Sequence, residues 1–143
     1  MSTAFNTIVQ AFKTKLQETP AVCADVFVSR DRQVPDTVNE AVHIEFSSSV
    51  PNSGVIKGAP IDWQTKVTVD CMARSKTLSG PDAVDSLFRK VFERLAQDTT
   101  LGNSVVDIGY PVIESDYESN GQKTGLMRLT YQVEHRTSNL TLD

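Results

Sequence analysis

The sequence predicts an α+β fold: a mostly antiparallel mixed sheet with two amphipathic helices packed on one face, in the order αβββαββ. Three observations predict it. Two stretches carry apolar residues at spacings of three and four, the period of a helix with one buried stripe. Several others alternate apolar and polar residues, the period of a strand with one buried side. Both helical stretches are one-sided, so together they can cover one face of a sheet whose other face stays polar. A chain of 143 residues suits one domain. It is read here as spanning 1–143, with a short C-terminal tail from about Ser138.

From Thr3 to Glu18 the residues Phe5, Ile8, Val9, Phe12 and Leu16 fall on one helical stripe. Thr19-Pro20 ends that helix, because proline disfavours helical geometry in the residue before it. Ala24 to Arg30 is rich in β-branched and aromatic residues and reads as a first strand, followed by a charged, proline-containing link to Asn39. Val42, Ile44 and Phe46 alternate with His43 and Glu45 in a second. Ser47 to Asp62, rich in Ser, Pro, Asn and Gly, reads as a long loop or projecting hairpin, and loops of that length are usually functional.

Trp63, Val67, Val69, Cys71 and Ala73 then alternate with Gln64, Lys66, Thr68, Asp70 and Arg74. This third strand is longer than the usual five or six residues, so its surplus projects or pairs outside the domain. Ser79-Gly80-Pro81-Asp82 combines a capping hydroxyl, an early proline and an acid at a helix start. The second helix carries Val84, Leu87, Phe88, Val91, Phe92, Leu95 and Ala96 on one stripe, and Gly102 marks its exit. Val105 to Glu118 reads as a strand interrupted at Pro111, which cannot donate to a ladder. Asn120-Gly121 is a tight-turn pair, and Met127, Leu129, Tyr131 and Val133 alternate with polar residues on the return strand.

Composition excludes several functions. Fourteen basic against 18 acidic side chains give a net charge of −4, against a surface devoted to wrapping nucleic acid. No apolar run is long enough for a membrane helix, and Met1 to Asn6 lacks the pattern of an export signal, which points to cytosolic synthesis. Cys23 and Cys71 lie far apart and read as reduced, buried thiols. His43 and His135 stand in no metal-ligand spacing, and no glycine pattern forms a phosphate loop. Ser47-Ser48-Ser49 lies in no nucleophile turn and has no evident base beside it. Asn139-Leu140-Thr141 matches a glycosylation acceptor by coincidence. The reading therefore expects no enzyme and no catalytic, cofactor-binding or metal residues.

Two surface features remain. Between Arg94 and Lys123 there is no basic residue, while Asp98, Asp107, Glu114, Asp116 and Glu118 give a local charge of −5. Such a stretch is a solvated edge, or a surface that lets DNA pass without sticking or meets a neighbouring subunit. Two long strands, a broken edge strand and an oversized loop also leave backbone groups that a neighbouring copy can satisfy.

The order of these elements resembles a known family. Trp63-Gln64-Thr65-Lys66-Val67-Thr68-Val69 leads into the helix Asp82 to Gln97, then a Gly109-Tyr110 step, an acidic hairpin ending in Gly125, and Leu129-Thr130-Tyr131-Gln132-Val133-Glu134. This succession, best from about Ala41 to Arg136, resembles the lambda-like tail terminator proteins, or minor tail protein U family, of long-tailed bacteriophages. The resemblance implies a homo-oligomer, a hexameric ring on the last ring of tail tube protein. There it would stop tube growth and present the surface for the head-tail connector or neck protein, with DNA passing through without sequence-specific binding. It implies no cofactor, no membrane, and a place in the virion at the head-proximal end of the tail. On that basis Ser48, Val50, Asn52, Val55 and Lys57 of the loop, with Asn120, Gln122 and Lys123 of the hairpin, are candidate partner contacts. Asp98, Asp107, Glu114, Asp116 and Glu118 become a candidate channel or intersubunit surface. The rivals are another neck or head-tail joining ring protein, and a small α+β ligand-binding domain or enzyme with Trp63 and Tyr131 lining a pocket.

Overall fold

The computed structural model describes residues 3–18, 20–23, 25–28, 39–51, 60–75, 80–98, 100–101, 105–120 and 122–138. Their order is α1 (Ala4–Gln17), β1 (Val26–Val28), β2 (Glu40–Pro51), β3 (Ile61–Ser75), α2 (Gly80–Ala96), β4 (Asp107–Ile108), β5 (Val112–Asn120) and β6 (Gln122–Thr137). The α+β expectation holds. The sixth predicted element is split, because the strand that Pro111 interrupts becomes β4 and β5.

The six strands form one sheet in the order β1-β2-β3-β6-β4, with β5 continuing alongside β6. Only the short β1 runs parallel to its neighbour, with Val26 opposite Val42 and Val28 opposite Ile44. The central pair is β3 and β6, antiparallel from Ile61 opposite Thr137 to Ser75 opposite Lys123. Both helices lie on one face. Ile8, Val9, Phe12 and Leu16 of α1, with Val84, Leu87, Val91 and Leu95 of α2, meet Val42, Ile44, Val67, Val69, Cys71, Leu129 and Val133 in a single buried cluster. Alternation explains the sheet half of that list, since these are the residues of one pleat face.

Thr3 caps α1, its hydroxyl oxygen accepting from the Asn6 N–H at 3.3 Å. The exit of α1 is held from the other helix. The Arg94 guanidinium donates to the carbonyls of Lys15 at 3.2 Å, Glu18 at 2.8 Å and also Pro20. A cation at a helix C-terminus satisfies carbonyls that have no partner within the helix. The stripe-start Ser79, the exit glycine Gly102, the turn residue Gly121 and the tail Asn139 to Thr141 lie outside the described residues. Past α2 it is Leu101 that holds a left-handed φ of 47°. Its side chain is buried, so core packing retains an apolar residue where the backbone favours glycine.

The Ser47 to Asp62 loop expectation needs correction. β2 runs on through Ser47-Ser48-Ser49 to Pro51, and β3 already begins at Ile61. Cross-strand pairing carries the polar run into the ladder, with Ser48 opposite Lys66 and Val50 opposite Gln64. The register shifts between Phe46 and Ser48, a bulge that turns Ser49 inward and Val50 to the opposite face. The projecting-hairpin alternative survives in shorter form, and its tip, with Asn52, Val55 and Lys57, lies outside the described residues. Of the first predicted strand, Val26–Val28 is described as strand, and Ala24, Ser29 and Arg30 lie outside the described residues.

Two substitutions test this packing. Arg94→Met, which keeps the stem and removes the donors, is expected to lower stability by about 1–2 kcal/mol, read as a shift of the urea midpoint. Leu101→Gly relieves about 1 kcal/mol of backbone strain but forfeits a buried leucine, a loss of about 2–5 kcal/mol, so the variant is expected to be net destabilised.

Candidate functional site

The sheet face away from the helices has no covering element among the described residues. Its side chains pair with one another. Arg128 grips Asp70 with two hydrogen bonds of 2.7 and 3.1 Å, and Arg136 grips Asp62 with two of 2.7 and 3.3 Å. The Gln132 amide donates to Gln64 at 2.8 Å. The Arg136 bonds hold the Asp62 carboxyl below its usual range, and the Asp70 bonds raise Arg128 in the same way. These pairs neutralise the middle of the face.

The acidic residues fall unevenly. Asp107 and Glu114 are exposed on the β4–β5 margin, Asp107 opposite Glu134 and Glu114 opposite Arg128. Asp116 and Glu118 continue β5, opposite Leu126 and Thr124 in the backbone register. Asp98 is half-buried and has local partners. Its carboxylate accepts from the Thr100 N–H at 3.1 Å and the Thr100 hydroxyl at 2.9 Å, closing the turn after α2. One oxygen satisfying two local donors makes it a turn residue.

Of the expected partner contacts, Ser48 and Val50 sit on the β2 strand, and Asn120, Gln122 and Lys123 belong to the β5–β6 hairpin. The two hairpins leave the sheet at opposite ends. β2 reaches the start of β3 at Pro51 opposite Trp63, whereas the β5–β6 tip, Asn120 opposite Gln122, lies by the end of β3. The length of β3, about 45 Å at 3.3 Å per residue, separates them.

Six large apolar side chains are exposed among the described residues, and they fall at two places. Phe46 and Val50 lie on the bulged end of β2; Val106, Tyr110, Val112 and Ile113 lie along β4 and β5. At the first place Phe5 is the hub of an aromatic cluster, edge-on to Phe46 at 5.6 Å, Trp63 at 5.3 Å and His135 at 5.0 Å. Phe5, Phe46, Trp63, Ser48 and Ser49 line an open bowl of ≈ 500 Å³. At the second, three residues, Gly109 to Pro111, lie between Ile108 opposite Val133 and Val112 opposite Thr130, so this margin also carries one extra residue. That insertion turns Ile108 and Ile113 to the same face.

Beneath the bowl runs a polar chain that corrects another expectation. Ser49 is not without a base in its neighbourhood. Its hydroxyl is 2.8 Å from that of Thr65, which is 2.6 Å from Nε2 of His135, and it donates to the Gln64 carbonyl at 3.4 Å. The other ring nitrogen of His135, Nδ1, has no hydrogen-bond partner. Thr65 is 1% exposed and His135 3%, so the inner two members of the chain are buried, while Ser49 is half-buried at the edge of the bowl. Alternation alone already placed Thr65 on the buried face, but two residues 70 apart in sequence give no sign of their bond.

Trp63 and Tyr131 do not share a pocket. The Trp63 ring lines the bowl and donates from Nε1 to the Thr137 hydroxyl at 2.8 Å. Tyr131 borders a separate cavity of ≈ 460 Å³ with Phe92, Leu95, Ala96, Ile108 and Pro111, and its buried hydroxyl has no partner. Burial pushes both the Tyr131 phenol and the Cys71 thiol upward. Cys23 and Cys71 are free thiols; Cys71 is buried as expected, whereas Cys23 is only half-buried.

Burial also lowers the pKa of His135, which stays neutral in the fold. The unfolded chain takes up a proton near pH 6.5 and the folded chain resists it, so this contribution to stability is present above that pH and lost as pH falls. Melting curves of the wild type and His135→Asn between pH 7.5 and 5 measure it. The wild type is expected to lose stability more steeply than the variant on acidification, and parallel curves refute a buried neutral ring.

Among the described residues no group of three or more His, Cys, Asp and Glu is placed to hold a metal, and no helix is long and apolar enough to cross a membrane. No protein-family model matches the chain, and no curated protein matches its sequence.

Proposed function

We propose that this chain is a structural protein of a long-tailed bacteriophage, a tail terminator. Copies form a ring, hexameric in the related scheme, that caps the tail tube. The observation that carries the reading is the pair of hairpins leaving opposite ends of one sheet. A terminator must bind two different structures on its two sides, the tube below and the neck above, and bind itself laterally. A long sheet with distinct ends and two margins that are unpaired among the described residues supplies those three kinds of surface. The mechanism is geometric: the ring buries the growing end of the tube and offers a surface that fits no further tube subunit.

The order and spacing of elements described above add the second support. Charge adds a third, since the exposed carboxylates Asp107 and Glu114 disfavour adsorption of DNA phosphate on their margin. A neck or head-tail joining ring protein shares these features and differs in its partners. A ligand-binding domain draws support from one observation, the ≈ 460 Å³ cavity with the unpartnered Tyr131 hydroxyl.

The decisive experiment removes the chain from an infection. Overlong tails and filled heads without tails are the expected result; tails of correct length joined to heads overturn the proposal, and normal tails without heads favour the neck protein. Replacing Asp107 with Asn and Glu114 with Gln is expected to leave folding intact while slowing DNA passage or weakening ring assembly. Unchanged phage yield removes the acidic margin from the mechanism.

A further inference from the structure

We propose that Tyr110 of one copy seats in the aromatic bowl of the next, formed by Phe5, Phe46 and Trp63, and so joins copies head to tail. The inference rests on the ring reading above and names its contact. The two exposed apolar clusters occupy opposite margins of the sheet. β1 pairs with β2 no further than Ile44, which leaves Phe46–Pro51 without a described neighbour on that side. β4 and β5 form the other edge.

Register puts the two clusters at one level. Phe46 lies across from Val67, itself across from Tyr131, and Trp63 lies across from His135. Tyr110 lies between Ile108, opposite Val133, and Val112, opposite Thr130. Bowl and tyrosine thus share the rows of β6 from 130 to 135. Copies related by rotation about an axis along the strands bring one margin against the other with no vertical step. A contact between two different patches repeats head to tail, and closes into a ring when the rotation divides the circle.

Shape and charge agree with that contact. Tyr110 is 92% exposed, beside a proline that fixes the local backbone. The bowl has aromatic walls for edge-to-face packing, with Ser48 and Ser49 on its rim, within a volume of ≈ 500 Å³. Lys66, exposed opposite Ser48, has no ion-pair partner among the described residues. Asp107 and Glu114, of the complementary sign, stand on the other margin and, like Lys66, on the open face of the sheet, so charge pairs beside the bowl and not within it. Pro111 offers no N–H, and both edges carry an extra residue at this level, which blocks a continuous ladder. The copies therefore meet through side chains.

Sedimentation and native mass measurement of the wild type and Tyr110→Ser test the contact. The wild type is expected to assemble and the variant to associate at least about tenfold more weakly, with the same melting temperature when both are diluted to monomers, because the Tyr110 side chain is 92% exposed. A variant that assembles like the wild type overturns this contact and leaves the ring reading standing; a wild type that never assembles overturns both. A second measurement oxidises Tyr110→Cys and Ser48→Cys chains, each also carrying Cys23→Ser. A linked pair that forms in the mixture and in neither sample alone is expected. Linkage within a single-variant sample shows a two-fold contact and refutes the head-to-tail arrangement.

Discussion

The rest of the structure depends on the antiparallel pairing of β3 with β6, fifteen residues opposite fifteen. These strands are 48 positions or more apart at their nearest paired residues, Ser75 and Lys123, so the pairing closes a long loop before it gains anything. What offsets that cost is burial on one pleat face, where Val67, Val69, Cys71, Leu129, Tyr131 and Val133 meet both helices. A slip of one residue would present Lys66 and Gln132 to the helices and the valines to water, so the register is strongly fixed.

From that register follow the level of every feature on the two margins. The bulge at Ser47 and the break at Gly109 to Pro111 sit in the same rows of the ladder, and each turns a neighbouring residue to the other face. Isolated, either irregularity reads as ordinary protection of a sheet edge. Together with the apolar side chains gathered at both, they define two surfaces of different shape at one height. The polar chain from Ser49 through Thr65 to His135 stiffens the strand ends under one of these surfaces, because each hydroxyl hydrogen has an acceptor.

Under the proposed reading the molecule works through its ends and margins. Thr65 and His135 are buried beneath the half-buried Ser49, and the Arg128–Asp70 and Arg136–Asp62 pairs hold the open face.

Periodicity by itself determined both helices, the long strands and the face each buries, since an amphipathic pattern has one stable orientation against a core. Proline and glycine marked the interrupted edge near Pro111 for the same local reason. The free thiols Cys23 and Cys71 also followed from local context. Only tertiary structure decided the rest. The serine run reads as loop from its composition, yet Ser48 and Ser49 pair with β3 while Ser47 forms the bulge. Asp98 counts as surface charge in a sequence and becomes a turn acceptor only when Thr100 folds back on it. The bond between Thr65 and His135, the separation of Trp63 from Tyr131, and the shared level of Phe46 and Tyr110 are relations across the sheet. Composition and spacing record what each residue prefers nearby; which distant residue it meets is set by register, and register is fixed by the whole buried face at once.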